Sequence, residues 1–293
     1  MADRGSPSNA TARASTSETK EALLRRALDA QAAYFPEVRA EIGPESTEWI
    51  TAQTFFSDVN AIREFILFEQ SRYSGVDLKT AGALMMNDYS YILATATVPL
   101  FTGFGLIPNL SPPSVGFRFY TTEKLHEGKT YRARRANVKF GESLFCYGQL
   151  DDDTDGERFR DQLEKHFRPV VEQIHALTSL SRAALWRLAG DAIAYLFLEA
   201  GRRFDAAEAA KTAAMRILII PGSPFANREL YYFDLAISDP KQQKVCETFL
   251  QRGGCCRFYK VEGGAYCSTC VLKTPADRDD DLRQALRGRI SLA

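Results

Sequence analysis

The chain has 293 residues, of which 37 are basic and 37 acidic, so its formal net charge is zero. This balance argues against a broad electrostatic attraction to nucleic acid or to anionic lipid, and we expect no nucleic-acid partner. With 45% hydrophobic residues, the chain can bury a substantial core as one large domain or two small ones.

The N-terminal residues are polar, small and aperiodic, which predicts a disordered tail over residues 1–16. The segment up to Ser17 has no apolar core of the length that a signal peptide requires, so we expect a cytoplasmic protein. Disulfides are disfavoured in that compartment, and clustered cysteines there indicate metal or redox chemistry.

Three helices are predicted in the next hundred residues. The first leads up to Pro36, the second precedes Gly75, and the third begins around Asp77 and breaks at Pro99. The apolar segment 92–107 is shorter than the ~20 residues needed to span a bilayer. Buried core is therefore the favoured interpretation, with a transient contact with the inner membrane surface as the alternative.

The middle of the chain changes from helical periodicity to alternation. Apolar residues alternate with polar ones over 115–120, and further runs follow over 131–140 and 144–150, with turn residues between them. These three strands predict a small antiparallel β-meander.

Helical periodicity then returns. One helix is predicted over 159–177, where Pro169 must kink it or begin a new one. The segment 183–200 is apolar nearly all round, which predicts a central, buried helix. The stretch 239–250 suggests one more helix. The predicted fold class is α+β: mainly helical, with a small antiparallel β-meander and a C-terminal cysteine-rich segment.

An acidic run from Asp151 to Gly156 resembles the start of a calcium loop. The twelfth position is Gln162 rather than the bidentate glutamate that such loops use. The favoured alternative is an acidic turn whose carboxylates stabilise the N-terminus of the following helix.

The most informative pattern lies near the C-terminus, where Cys255-Cys256 is followed after ten residues by Cys267-x-x-Cys270. Four thiolates in this pattern suit a tetrahedral zinc ion or an iron–sulfur cluster. Zinc sites usually take two C-x₂₋₄-C hooks, and the vicinal pair has no spacer. The side chains of adjacent cysteines tend to diverge, and a two-iron centre tolerates this geometry better than a single zinc ion does. The spacing alone nevertheless leaves both interpretations open. The isolated Cys146 is expected to be a buried small residue, and so is Cys246.

The segments 252–259 and 266–273 resemble the C-terminal signature of the FhuF-type ferric siderophore reductases. In that family the pattern C-C-x₁₀-C-x₂-C binds a [2Fe–2S] cluster, and all four positions match without an insertion. The resemblance implies no catalytic residue beyond the cluster. The cluster and metal ligands that it implies are Cys255, Cys256, Cys267 and Cys270.

The resemblance also implies a function: one-electron reduction of Fe(III) in a siderophore, with hydroxamates as the favoured class, and release of Fe(II) in the cytoplasm. Hard oxygen ligands hold Fe(III) far better than Fe(II), so reduction loosens the chelate. The sequence has no dinucleotide fingerprint and no P-loop. We therefore expect electrons from an external donor, a ferredoxin-like protein or a flavoprotein reductase. The alternatives are a non-catalytic binding protein with a structural zinc site of four cysteines, and an iron–sulfur electron relay or sensor.

On this interpretation the tail 1–16 precedes a single α+β reductase domain over 17–273, whose cluster-binding segment is 252–273. A C-terminal extension over 274–293 departs from the family pattern. The segment 250–273 contains four basic residues and one acidic residue. This excess of positive charge should raise the reduction potential of the cluster. Arg257, next to Cys256, is predicted to be the best placed of the four.

Basic and aromatic residues on the predicted strands could meet a chelate, although a solvated sheet face explains such a pattern more often. These residues are Arg118, Tyr120, Arg132, Arg134 and Arg135.

Overall fold

The computed structural model describes residues 19–43, 47–126, 129–141, 145–238 and 244–291. The helices in these ranges are α1 (Lys20–Tyr34), α2 (Ala52–Ser57), α3 (Val59–Ser71), α4 (Leu78–Phe104), α5 (Asp153–Thr178), α6 (Arg182–Arg203), α7 (Ala207–Leu218) and α8 (Pro275–Ser291). The strands are β1 (Ala40–Ile42), β2 (Ile50–Thr51), β3 (Leu106–Pro108), β4 (Val115–His126), β5 (Lys129–Phe140), β6 (Phe145–Tyr147), β7 (Tyr231–Ser238) and β8 (Lys244–Gln251). The α+β, mainly helical prediction is confirmed. The predicted tail 1–16 lies outside the described residues.

Helices α4 and α6 form the centre of the core, and both are buried over most of their length. The predicted break at Pro99 is wrong, because α4 continues to Phe104. Proline cannot donate a hydrogen bond to the carbonyl four residues earlier. In this chain the carbonyl of Thr95 instead accepts a hydrogen bond of 3.0 Å from the buried side chain of Gln31. The helix therefore passes through its proline without leaving that carbonyl unpaired.

The apolar segment 92–107 lies in α4 and β3 and is almost entirely buried, which confirms the core interpretation. A buried segment does not offer the surface that a membrane contact would need. No helix within the described ranges is long and apolar enough to cross a bilayer.

The acidic run after β6 begins helix α5. The side chain of Asp152 accepts a hydrogen bond of 3.0 Å from the amide of Asp155, as an N-cap residue does. The carboxylate of Asp152 thus stabilises the N-terminus of the following helix, as the acidic-turn interpretation predicts. Helix α5 then continues through Pro169 to Thr178, so the alternative in which a new helix begins at this proline is wrong.

The larger sheet has the strand order β1-β5-β4-β2. Its long hairpin, β4 with β5, is antiparallel and pairs Phe117 with Val138. The meander prediction is correct for this hairpin and wrong for its third strand, since β6 pairs antiparallel with β3 instead. Strand β1 adds to the other side of β5 in parallel.

The helix predicted over 239–250 is wrong for its described part, residues 244–250, which belong to strand β8. Strand β8 forms an antiparallel hairpin with β7, and Phe249 lies opposite Phe233. The C-terminal extension is a helix, α8, packed against this hairpin. Its Arg278 guanidinium lies 3.8 Å from the ring centre of Phe233 and donates a hydrogen bond of 2.7 Å to Gln251. Pairing and helix cover together stabilise the strand in a way that local periodicity does not reveal.

Candidate metal centre

Strand β8 is followed by residues 252–273, called the cysteine segment below. The first residues of this segment pack closely against helix α6. A Cβ atom on Gly254 would lie 2.9 Å from the amide nitrogen of Leu188 and 3.0 Å from the carbonyl carbon of Arg187. A Cβ atom on Gly253 would collide with the side chain of Asn227. Only glycine allows this approach of the two backbones.

Asp191 of α6 holds the two glycines in place. Its carboxylate is 3% exposed and accepts hydrogen bonds from the amides of Gly253, at 2.8 Å, and Gly254, at 3.0 Å. It also accepts one from Arg252 Nε at 3.2 Å. Burial raises the pKa of Asp191 to about 6, while Arg252 and the two amides act in the opposite direction. One buried side chain thus fixes the entry to the cysteine segment.

Arg252 joins this carboxylate to a candidate ligand. Its Nη1 lies 3.7 Å from Cys267 Sγ, a contact of hydrogen-bond type. Burial alone would lower the pKa of Arg252, but Asp191 and the charges on Cys256 and Cys267 raise it above its usual value. The guanidinium therefore remains charged beside the sulfur atoms.

Arg257, which the sequence places closest to the cysteines, points elsewhere. Its backbone is left-handed, with φ of 60°. Its guanidinium donates to Asp77 Oδ2 at 2.9 Å and to Thr80 Oγ1 at 3.1 Å, at the N-terminus of α4. Among the described contacts, the one from a basic side chain to a cysteine sulfur comes from Arg252.

The sulfur atoms of Cys256 and Cys267 are 3.6 Å apart. Two thiolates bound tetrahedrally to one ion at about 2.3 Å would be about 3.8 Å apart. This pair therefore fits two ligands of one metal ion. The hydrogen bond from Cys267 lowers the pKa of the Cys256 thiol to about 5, and Arg252 acts in the same direction.

The other two candidate ligands flank this pair. Cys255 is partly buried, and burial raises the pKa of its thiol. Cys270 is 6% exposed. Within the described ranges, no three His, Cys, Asp or Glu side chains converge closely enough to bind a single ion. The sulfurs are therefore not preassembled as a cage around one ion.

The far side of the cysteine segment is anchored on the connection between α3 and α4. The ring of Phe258 packs edge-on against Tyr73 at 5.1 Å, and the amide of Glu262 donates to the carbonyl of Ser74 at 3.1 Å. The segment is thus held between α6 and the start of α4.

The remaining cysteines lie away from this pattern. The expectation that Cys146 and Cys246 are buried is wrong, since both are exposed. They lie in β6 and β8, strands of two-stranded sheets. Such sheets leave strand edges and part of their faces open to solvent.

The strand residues considered for chelate binding mostly take part in packing and ion pairs. Arg134 lies over the ring of Phe65 at 4.7 Å, and Arg135 is 3.4 Å from Asp88. Arg118 lies 5.0 Å from the ring centre of Trp49.

Two family models match the chain. One is described as the FhuF 2Fe-2S C-terminal domain and matches residues 252–272. The other is described as the ferric iron reductase FhuF-like transporter and matches residues 129–228. Over these two regions the chain is similar to the FhuF family. No curated protein matches it.

The FhuF matches confirm the family resemblance and a [2Fe–2S] cluster as the cofactor. They also support a ferric reductase acting on siderophore iron. Asp191 lies in the longer matched region, and the four cysteines lie in the shorter one. Sequence reasoning missed Asp191 and the particular role of Arg252. The sequence did contain a signal for Asp191. It is the one charged residue between Arg187 and Glu199, in a stretch that is otherwise apolar.

Proposed function

We propose that this chain reduces ferric siderophores with a [2Fe–2S] cluster held by four cysteines, and that its substrates are hydroxamates whose Fe(II) is released in the cytoplasm. The observation that carries the proposal is the Cys256–Cys267 sulfur pair, 3.6 Å apart, with Arg252 beside it. The proposed ligands are Cys255, Cys256, Cys267 and Cys270.

The bound cluster supplies electrons one at a time. Fe(III) of the chelate gains one electron and becomes Fe(II), which hard oxygen ligands hold weakly, so the metal leaves. The positive charge of Arg252 offsets the negative charge of the thiolates and so favours the reduced state. Asp191 is a positioning residue because it orients Arg252 and the two glycine amides.

Partial exposure of three cysteines supports electron transfer to an external substrate. Cys255, Cys256 and Cys267 are all partly accessible, whereas Cys270 is buried. A chelate can therefore approach one side of the centre. The other side packs against the protein.

The sulfur arrangement favours a two-iron centre over a structural zinc site. Each iron of a [2Fe–2S] cluster takes two protein thiolates, and the compact pair of Cys256 and Cys267 matches that requirement. A zinc site of four cysteines would draw all four sulfurs around one ion. Anaerobically purified protein should contain about two irons and two sulfides per chain. Colourless protein with one stoichiometric zinc would exclude the cluster.

The function is tested by trapping Fe(II) with a ferrous chelator while chemically reduced protein turns over a ferric trihydroxamate. Cys267→Ser should lose most of the turnover because it removes one sulfur of the compact pair. Cys246→Ser, at an exposed cysteine outside the pattern, should match the unmodified protein. Absence of Fe(II) from the unmodified protein, or equal turnover by Cys267→Ser, would contradict the proposal.

A further inference from the structure

A cavity of about 810 Å³ lies beside the metal centre. Its walls come from α4, α6, β8 and α8, together with residues of the cysteine segment. Cavities of about 300–1,000 Å³ are typical of sites that enclose a small organic ligand. The volume thus suits a compact chelate.

The lining of the cavity includes residues that lie next to the cysteine sulfur atoms. Arg252 lines the cavity and also contacts Cys267 Sγ. Ser268 and Thr269, which separate Cys267 from Cys270, line it too. A ligand in this cavity would therefore lie against the chain segment that carries the proposed cluster ligands.

The charges along the cavity are paired with one another. Arg289 is 2.8 Å from Glu247, and Arg202 is 3.7 Å from the same carboxylate. Arg252 is paired with the buried Asp191. The three guanidiniums and two carboxylates of the lining sum to +1, and all three guanidiniums are ion-paired, so the lining offers little free charge to a highly charged ligand.

The uncharged part of the lining is aromatic and hydrogen-bonding. Tyr195, which is 45% exposed, stands on α6, with Tyr91 on α4 and Phe249 on β8. A hydroxyl group is also supplied by Ser268. Rings can cover the apolar spacers of a chelate, while hydroxyls pair with its amide and hydroxamate oxygens.

These charges discriminate between the two common chelate types. Three monoanionic hydroxamates neutralise Fe(III), whereas three dianionic catecholates leave a trianion. A trianion buried here would lack a compensating charge, because the guanidiniums of the lining are already paired. The cavity therefore favours the neutral chelate.

The C-terminal extension forms one wall of this cavity. Leu282, Ala285 and Arg289 of α8 line it. Because α8 follows the cysteine segment, the part of the chain that departs from the family pattern contributes directly to the cavity.

We propose that this cavity is the docking site for a neutral ferric trihydroxamate, and that α8 is its specificity-determining wall. The proposal rests on the proposed function, since it takes the substrate to be a chelate reduced by the cluster. It adds the location of the docking site and the role of the extension.

The test uses the gallium(III) complex of desferrioxamine E, a neutral cyclic trihydroxamate complex that binds like its iron counterpart but is not reduced. Its affinity for cluster-loaded protein is measured by equilibrium dialysis. Ala285→Trp, at an exposed position on the wall, fills the cavity and should weaken binding by about tenfold or more. Gln284→Trp, the matched control on the exposed part of the same helix, should bind like the unmodified protein.

A second variant covers the case in which Ala285→Trp folds poorly or loads less cluster. Tyr195→Ala removes an exposed cavity side chain and should weaken binding several-fold, with unchanged iron content and cluster potential. Unchanged affinity in the correctly loaded variants would overturn the docking site. A gallium tris-catecholate that binds as tightly as the hydroxamate, and is displaced by it, would overturn the charge preference.

Failure of the docking site can be distinguished from failure of the proposed function. If the unmodified protein reduces ferric desferrioxamine E but Ala285→Trp and Tyr195→Ala bind and reduce it equally well, the chelate docks elsewhere and the reductase function stands. If the gallium complex binds in the cavity but no electron reaches ferric chelate, the reductase function fails while the site stands.

Discussion

Arg252 differs from its basic neighbours in what its guanidinium touches. It contacts both Cys267 and Asp191, whereas Arg257 is held by Asp77 and Thr80. At an effective dielectric of about 20, a charge about 8 Å away contributes ~2 kcal/mol, which for one electron is somewhat under ~100 mV.

We therefore predict that Arg252→Gln lowers the cluster potential by tens of millivolts, up to about 100 mV. Arg257→Gln should lower it less, because the described contact with a cysteine sulfur comes from Arg252, whereas the Arg257 guanidinium is held at the N-terminus of α4. Electrochemical titration of both variants and the unmodified protein measures the shifts. An unchanged or higher potential in Arg252→Gln would mean that this charge does not tune the cluster.

Glu69 is a buried acid in a second charged group, separate from the cysteine segment. Its carboxylate is 2.5 Å from Arg72, which is also 3.1 Å from Asp88. Burial and the charge of Asp88 raise the pKa of Glu69 from 4.5 to about 8, against the opposing effect of Arg72. In the folded protein, Glu69 is therefore mainly protonated up to a pH of about 8.

This shift predicts a pH-dependent stability. Because the folded-state pKa is the higher one, the stabilisation is fully present below pH 4.5 and is lost as the pH rises through about 8. Each unit of pKa shift corresponds to about 1.4 kcal/mol, so the loss should reach a few kcal/mol.

Glu69→Gln removes this titration and should flatten the profile of unfolding free energy between about pH 5 and about pH 9. Urea unfolding across that range measures it. The control is Glu64→Gln, at an exposed position on the same helix. Parallel profiles for Glu69→Gln and the unmodified protein would rule out Glu69 as the source.

At the scale of elements, the contact between α6 and the cysteine segment depends on the absence of side chains. Gly254→Ala forces a methyl group against the backbone of α6, 2.9 Å from the amide nitrogen of Leu188. We expect a loss of about 1–3 kcal/mol in stability and lower cluster occupancy. Iron and sulfide analysis together with thermal unfolding measure both effects.

The matched control is Gly288→Ala in α8, where no atom lies within 4 Å of the added carbon. That change should be neutral, or stabilising by up to about 1 kcal/mol, since alanine favours helix. If Gly254→Ala also loads a full complement of cluster at normal stability, the close approach is not required.

Several elements show which parts of the fold follow from local sequence. The helical character of α5 follows from apolar periodicity, and the buried α6 follows from a segment that is apolar on nearly all faces. The length of α4 does not, because the carbonyl freed by Pro99 is satisfied by Gln31, a residue from another helix. Strand β8 likewise depends on pairing with β7 and on cover by α8. Local patterns cannot report partners that come from distant parts of the chain.

The candidate site likewise has features that local sequence indicates and features that depend on contacts between distant residues. The cysteine spacing alone indicates four candidate ligands, because they lie within sixteen residues of one another. Asp191 and Arg252 meet across sixty-one positions in sequence, and the cavity draws its lining from Asn87 to Arg289. Such contacts exist only after folding, so the sequence could not locate the chelate.

At the level of the whole molecule, we expect reduction of the proposed substrate to need an electron donor from outside the chain. The sequence has no dinucleotide fingerprint and no P-loop. Purified protein should not turn over ferric trihydroxamate with NADH or NADPH alone, and should do so once a ferredoxin-like protein or a flavoprotein reductase is added. Steady turnover with nicotinamide and no partner would reveal a cofactor site within this chain.

The central claim, that the cluster gives its electron to chelated Fe(III), is tested most directly by anaerobic stopped-flow mixing of reduced protein with ferric desferrioxamine E. Cluster oxidation is followed by its visible absorbance, and Fe(II) is followed with a ferrous chelator. We expect about one Fe(II) to form per cluster oxidised and Fe(II) never to appear ahead of cluster oxidation. Fe(II) that forms while the cluster stays reduced, or a cluster that oxidises without yielding Fe(II), would contradict it.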